Sequence, residues 1–460
     1  MSPRQAPRQG AVSLNLRLTP DEIAWIANHA QDRFLVVDDV LLPLYEQFRS
    51  KASLEKVVVV PLTRAAVAAP AVDYEAFLAG APAGFDYAAH EEDDPVAMCY
   101  TSGTTGRPKG VVYSHRSTVI HTLMANQPDH WCLSAKDTVL PATPMFHANC
   151  WGVPYVCVMM GIKMVFPGPH LAPADLLDLF AAERPTYALG VPTIWLGMLQ
   201  LLDQQKGVYD TSTLRTTLVG GSAAPPSMIE GFEKRHGIIV LHAWGMTEMN
   251  PLGTVARVKH KLAKADYETR LGLRSSQGLP SMWVETRHVG PDGRELPRDG
   301  ETMGELEVRG PWVARSYLGG EGEDRFTSDG WFKTGDVVTI DSEGYVRITD
   351  RAKDVIKSGG EWISSVALEN ALMSHGSVLE AAVFAGQHEK WGERPIAAVV
   401  FKTGQRATPD ELRNHLAAHF HKMWLPDEFV IVPQIPRTST GKFLKTKLRE
   451  EFGGILKGKG

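Results

Sequence analysis

The run Tyr100-Thr101-Ser102-Gly103-Thr104-Thr105-Gly106-Arg107-Pro108-Lys109-Gly110 has the composition of a phosphate cradle. Glycines let successive backbone N–H groups turn towards an anion, Ser and Thr hydroxyls donate to it, and Lys109 adds a compact positive charge. It is not a Walker A loop. That motif ends in Gly-Lys-Ser/Thr and opens a helix, whereas here Pro108 precedes the lysine and Gly110 follows it. A second stretch, His242-Ala243-Trp244-Gly245-Met246-Thr247-Glu248, follows an apolar run and offers a flat aromatic, a hydroxyl and a carboxylate in consecutive turns. Trp244 suits stacking on a base. Glu248 with a cradle hydroxyl suits Mg²⁺, because hard cations take oxygen ligands and bridge protein carboxylate to nucleotide phosphate. Asp336 in Lys333–Asp336 and Arg351 in Asp350–Asp354 suit a ribose, the carboxylate accepting from both hydroxyls of a cis diol. Lys442 stands at the tip of Pro436-Arg437-Thr438-Ser439-Thr440-Gly441-Lys442, a loop of the kind that carries a lysine into and out of a phosphate site. Taken singly, these residues read equally well as a core Trp, a turn Asp, a surface Arg and a basic tail; it is the set that argues for a nucleotide.

The elements that must hold them are legible in outline. Thr19-Pro20-Asp21-Glu22 is a helix start, and Ile23, Ile26, Ala27 and Ala30 give the helix to about Gln31 one buried face. Phe34 to Val37 and Val57 to Val60 read as inner strands. From residue 96 onward short apolar strands alternate with amphipathic helices: Val139–Ala142, Ile162–Phe166, Tyr187–Gly190, Thr216–Val219 and Ile238–Leu241, with helices at Pro173–Glu183 and Pro226–Arg235. This pattern of strand, loop and helix predicts parallel α/β sheets. After about residue 255 the segments Glu305–Arg309, Val337–Ile340 and Tyr345–Thr349 predict a small antiparallel β section. An α+β unit follows, with a second helix start at Thr408-Pro409-Asp410-Glu411. The expected fold class is therefore α/β, with a large domain of stacked α/β sheets and a β section over residues 1–350 and a small mobile α+β domain over 351–460.

The 48 basic and 53 acidic residues give a net charge of −5, so nothing points to nucleic acid as partner, and any anionic ligand must be met locally. Cys99, Cys132, Cys150 and Cys157 form no CxxC pair and lie in apolar sequence, which predicts reduced thiols in a cytoplasmic protein and no structural metal. The longest apolar candidate, Trp151 to Phe166, is broken by Lys163, Gly152, Pro154 and Gly161, so no transmembrane segment is expected.

The ordered set YTSGTTGRPKG, GGSAAP (220–225), HAWGMTE, GELEVRG (304–310), WFKTGD, DRAKDVIKSGG and PRTSTGK resembles the adenylate-forming superfamily, across nearly the whole chain from Gly10. Pro144–Gly152 and Lys357–Ser364 are most similar to medium- and long-chain fatty-acyl-CoA synthetases. The resemblance implies Thr101 and Glu248 as magnesium ligands, and Ser102, Gly103, Thr104, Thr105, Lys109 and Thr247 around the phosphates. It implies Gly220, Gly221, His242, Ala243, Trp244 and Gly245 about the adenine and Asp336 and Arg351 at the ribose. Lys442 becomes the lysine of the adenylation step, and Lys353 the hinge about which the small domain turns. Lys357, Gly359, Gly360 and Trp362 belong to the loop that serves the second, CoA-dependent half-reaction. His147 and Trp151 stand at the mouth of an acyl tunnel, where an indole gates admission of the fatty acid.

The implied co-substrates are ATP, CoA and a carboxylic acid, with Mg²⁺ as cofactor; a homodimer is left open. Gly220, Gly221, Ala223, Gly245 and Gly253 are expected to leave space near the acyl carbonyl, which suits an unbranched alkyl or thioether chain rather than an amino acid. Two other readings remain: an adenylating enzyme that loads a carrier protein, and a weakly active nucleotide binder. Family members carry many further residues ahead of the point matching Gly10, so the resemblance also implies a missing N-terminal stretch and a bare sheet edge.

Overall fold

The structure is a computed structural model that describes residues 10–64, 66–84, 86, 89–101, 107–359, 361–437 and 443–458. Two compact units make up the chain, residues 1–253 with 311–323 and residues 254–310 with 324–460. Among the described residues no helix is long and apolar enough to cross a membrane.

The first unit is built on a parallel sheet with strands in the order Lys163–Met164, Thr138–Pro141, Tyr187–Gly190, Thr216–Val219 and Ile239–Gly245. Tyr187–Gly190 and Thr216–Val219 are buried at every position, which is why neither carries a charged residue. Helices Pro173–Glu183, Pro192–Gln204 and Pro226–His236 connect them, each with proline in its first turn, where its missing N–H costs no bond. The helix Pro20–His29 begins as the sequence predicts, with a complete capping box between Thr19 and Glu22.

Two expectations are corrected here. Phe34–Asp38 is not an inner strand: it pairs in parallel with Lys56–Val60 on one side only, and Phe34 and Val36 are 57% and 60% exposed. An edge strand with one uncovered face has the same β-branched composition as a buried one. The parallel α/β pattern expected from residue 96 onward does not begin at the cradle. Strands Pro95–Tyr100 and Gly110–Ser114 are antiparallel neighbours, so the glycine-rich run joins two strands of one ladder.

In the second unit, Glu285–Val289, Gly304–Arg309, Phe332–Ile340 and Val346–Arg351 form an antiparallel meander in sequence order. A second sheet contains Glu361–Ile363, Ile356–Ser358, Gly392–Phe401, Val378–His388 and Glu428–Ile431. Along Val378–His388 successive side chains face opposite sides. Ala381 and Val383 pack on Leu368, Leu372, Leu412 and Leu416, while Ala382 and Phe384 pack with Leu448 and Leu456. Each buried Leu contributes on the order of 2 kcal/mol to this two-faced core.

The segment near residues 350–355, where the sequence reading draws its boundary, lies between these two sheets and is tied to the second by buried charge. Asp350 accepts the backbone N–H of Ser365, Arg449 pairs with Asp354, and Lys445 Nζ lies 2.6 Å from both Glu369 Oε1 and Ser365 Oγ. Burial pushes the Glu369 carboxyl up to about 7, against the pull of Lys445. Because this folded value lies above the ordinary 4.5, the folded state holds the proton more tightly, and the associated stability is lost as pH rises from about 4.5 to 7. Urea midpoints measured at pH 5 and pH 8 should therefore fall with pH in the wild type, and Glu369→Gln should flatten that slope.

Candidate active site

The chemistry-bearing segments of the first unit leave the carboxyl ends of its parallel strands, where open α/β sheets bind ligands. Thr138–Pro141 leads into the His147–Trp151 segment, Thr216–Val219 into Gly220 and Gly221, and Ile239–Gly245 into Thr247 and Glu248. His242, Ala243 and Trp244 are buried. Gly245 and Gly253 do not open space for a substrate as expected. A Cβ on Gly253 would lie 2.5 Å from the Trp244 indole, and one on Gly245 would strike the Pro251 carbonyl, so both glycines serve close packing around the aromatic.

At the cradle, Thr101 N–H donates to Lys109 O and Lys109 N–H donates to Thr101 Oγ1, both at 3.0 Å, which closes the loop at its base. Ser102, Gly103, Thr104 and Thr105 lie outside the described residues. Lys109 Nζ stands 5.0 Å from the centroid of the Tyr317 ring, and the Tyr317 hydroxyl donates to Glu248 Oε1 at 2.6 Å. One aromatic thus joins the lysine of the first motif to the carboxylate of the second. A further buried tyrosine does the same for Thr247, whose carbonyl accepts from Tyr113 Oη at 2.6 Å. Sequence reasoning missed both tyrosines. Nothing in local spacing marks partners 69 and 134 residues apart. The donor set fits a hard cation: Glu248 is an oriented buried carboxylate, and the Thr101 hydroxyl keeps a second lone pair.

The acyl-gate candidates lie on an unusual turn. Ala148, Asn149, Cys150, Trp151 and Gly152 have φ of 42°, 52°, 56°, 56° and 75°, a left-handed helical turn in which only the last residue lacks a Cβ. Left-handed geometry costs about 1–2 kcal/mol for each L-residue, so the surroundings must impose it. They do so through Cys150 Sγ donating to Thr143 O, Cys99 Sγ donating to Asn149 Oδ1 and Asn149 Nδ2 donating to Tyr155 Oη. Burial raises the Cys99 thiol to about 11 and those of Cys150 and Cys157 to about 12, which keeps all three neutral and lets Cys99 and Cys150 donate. Cys132, by contrast, is exposed rather than set in apolar surroundings. The turn lays the Trp151 indole against Gly220 and Gly221, its ring atoms 3.4 Å and 3.8 Å from where their Cβ atoms would be. His147 caps the same turn, its carbonyl accepting from Trp151 N–H.

In the second unit Asp336 and Arg351 are directly opposite in adjacent antiparallel strands, with Arg351 Nε 2.8 Å from Asp336 Oδ1. Asp336 is fully buried and Arg351 is partly exposed. Desolvation lowers the Lys353 ammonium below the ordinary lysine range. Lys357 lies opposite Trp362, its Nζ 5.8 Å from a ring centroid, and Gly359 has φ of 58° with Trp391 packed where a side chain would go. Gly360 and Lys442 fall outside the described residues.

Comparison with known proteins identifies the family. Residues 7–318 match the model of the AMP-binding enzyme family, and residues 367–442 match that of the AMP-binding enzyme C-terminal domain. Over 459 residues the chain is 47% identical to a long-chain-fatty-acid–CoA ligase of Thermus thermophilus, an alignment covering 97% of this chain and 82% of that protein. It is 45% identical over 450 residues to a 3-methylmercaptopropionyl-CoA ligase of Ruegeria pomeroyi, covering 97% and 83%. The crystal structure of ATP-bound MatB from Rhodopseudomonas palustris superposes with a TM-score of 0.82 at 27% identity, covering 97% of this chain and 84% of that one. The chain belongs to the AMP-binding enzyme family, and within it is an AMP-forming acyl-CoA synthetase.

Proposed function

We propose that this enzyme activates medium- to long-chain fatty acids in the cytoplasm. The observation that carries the reading is the Trp151 indole lying against Gly220 and Gly221, with Val191 beside Gly221 and no charged group among these contacts. The likeness to a long-chain-fatty-acid–CoA ligase supports it. The acid's carboxylate oxygen attacks the α-phosphorus of ATP, the bond from that phosphorus to the bridging oxygen breaks, and pyrophosphate leaves. The thiolate of CoA then attacks the acyl carbonyl, and AMP departs as the thioester forms.

The protein's task in the first step is to gather repelling anions and orient them. Lys109 and the cradle hold the phosphates, Trp244 and His242 flank the base, and the Asp336–Arg351 pair receives the ribose. Thr101 and Glu248 would hold Mg²⁺, which supplies charge neutralisation at the phosphates. Residues 351–460 then turn about Lys353 to exchange Lys442 for the Lys357–Trp362 loop.

An acid panel tests the reading. AMP release that requires CoA should peak with straight-chain acids of about 8 to 16 carbons, the range an apolar tunnel discriminates by chain burial. A peak at 3-methylmercaptopropionate would move the substrate to short thioether acids, the alternative favoured by the second relative. AMP release that ignores CoA would point instead to a carrier protein as acceptor.

A further inference from the structure

The helix Pro20–His29 meets the cradle from outside the motifs that form the site. Its buried face, Ile23, Ala24, Ile26 and Ala27, anchors it to the first unit. Trp25 and His29, four residues apart and therefore neighbours on the helix surface, are stacked with ring centroids 4.6 Å apart at an interplanar angle of 14°. Neither is fully buried. His29 Nδ1 lies 2.8 Å from the hydroxyl of Tyr100, the last residue of the strand entering the cradle. Both rings also meet Tyr100 edge-on, Trp25 at 6.2 Å and His29 at 5.8 Å. Beyond the loop in sequence, the Arg107 guanidinium lies 5.5 Å from the centre of the Trp25 ring. A single stacked pair thus touches the residue that enters the phosphate loop and a residue that leaves it.

We infer that Trp25 and His29 clasp the two ends of the phosphate loop and act as positioning residues for ATP, with Arg107 presented by the indole as an additional polyphosphate contact. The inference rests on the nucleotide role proposed for the cradle. Stacking occupies the face of a guanidinium and leaves its N–H edge to meet an anion, which is the edge that recognises phosphate. Arg107 is exposed, so packing the core is not what it does there. The second link, from His29 to Tyr100, fixes the other end of the loop. Glu321 Oε1 lies 3.9 Å from the remaining ring nitrogen of His29.

The test uses the full chain and measures ATP affinity by calorimetry without acid or CoA, alongside steady-state kinetics. Trp25→Leu and Arg107→Gln should each weaken ATP binding about fivefold and raise the KM for ATP in step, leaving the KM for acid and for CoA unchanged. Trp25→Phe, which keeps a ring under the guanidinium, should restore affinity to within about twofold of wild type. Arg107 is on the surface, so its variant reports on the contact even if Trp25→Leu unfolds. Unchanged ATP affinity in Arg107→Gln, or a loss in which all three KM values move together, would overturn the clasp. Wild-type protein that binds ATP tightly yet forms no AMP with any acid would instead overturn the proposed function while leaving the clasp standing. Wild-type protein that binds no ATP overturns both.

Discussion

Glu248→Gln should cut the rate of pyrophosphate release by about 10²–10³-fold at saturating magnesium, equivalent to roughly 3–4 kcal/mol of transition-state stabilisation. The substitution preserves shape: the amide oxygen can still accept from Tyr317, so the turn at Thr247–Met249 stays in place. What it removes is the negative charge that a hard cation needs, at a point where burial makes that charge count for more than it would in water. Tyr317→Phe, which keeps the carboxylate but frees its orientation, should lose far less. The measurement is a coupled pyrophosphate assay across a magnesium titration. If Glu248→Gln retains more than a tenth of wild-type activity, the cation is held elsewhere.

The second large effect is a division between half-reactions. Lys442→Ala should reduce acyl-adenylate formation by about 10³-fold, because it removes a point charge from a transition state in which two anions are forced together. Thioester formation from a supplied acyl-adenylate and CoA should stay within a few-fold of wild type. That asymmetry follows from the proposed turn about Lys353, in which Lys442 has left before the thiol attacks. The check is to feed the variant synthetic acyl-adenylate and follow the thioester directly. Equal loss in both steps would mean that Lys442 serves fold or binding throughout and that the two-conformation scheme fails.

Features written in short stretches of chain were legible before any coordinates. The Thr19-Pro20-Asp21-Glu22 start gave its capping box, and Tyr187–Gly190 and Thr216–Val219 matched residue for residue, since parallel strands covered on both faces carry no competing polar alternation. Asp336 and Arg351, singled out separately in the sequence, stand opposite one another in the ladder register. What stayed hidden had no local signature. Apolar runs do not state the direction of their partner strand, so the antiparallel flanks of the cradle were misread. Exposure of Phe34 and Val36 depends on what covers a sheet face, not on β-propensity. The left-handed turn at Ala148–Gly152 is imposed by Thr143, Cys99 and Tyr155 from without, against the preference of four of its own residues. Tyr317 and Tyr113 reach their partners across long stretches of chain.

The contact between Trp151 and Gly220 also constrains how such a pocket can be inherited. A methyl group at position 220 would just touch the indole at 3.4 Å, with the Ala243 carbonyl 3.2 Å away, so any longer side chain there collides with Trp151. In a lineage in which position 151 has already become small, only the Ala243 carbonyl limits such a change. Whether a substitution at 220 is harmful or neutral therefore depends on the residue standing at 151, and the two sites are energetically coupled in the way expected of side chains in contact. A descendant that comes to prefer a differently shaped acid would have to shrink the tryptophan before filling the glycine. Recombination between two such lineages would be tolerated only where both segments, Ala148–Gly152 and Gly220–Gly221, arrive from the same parent.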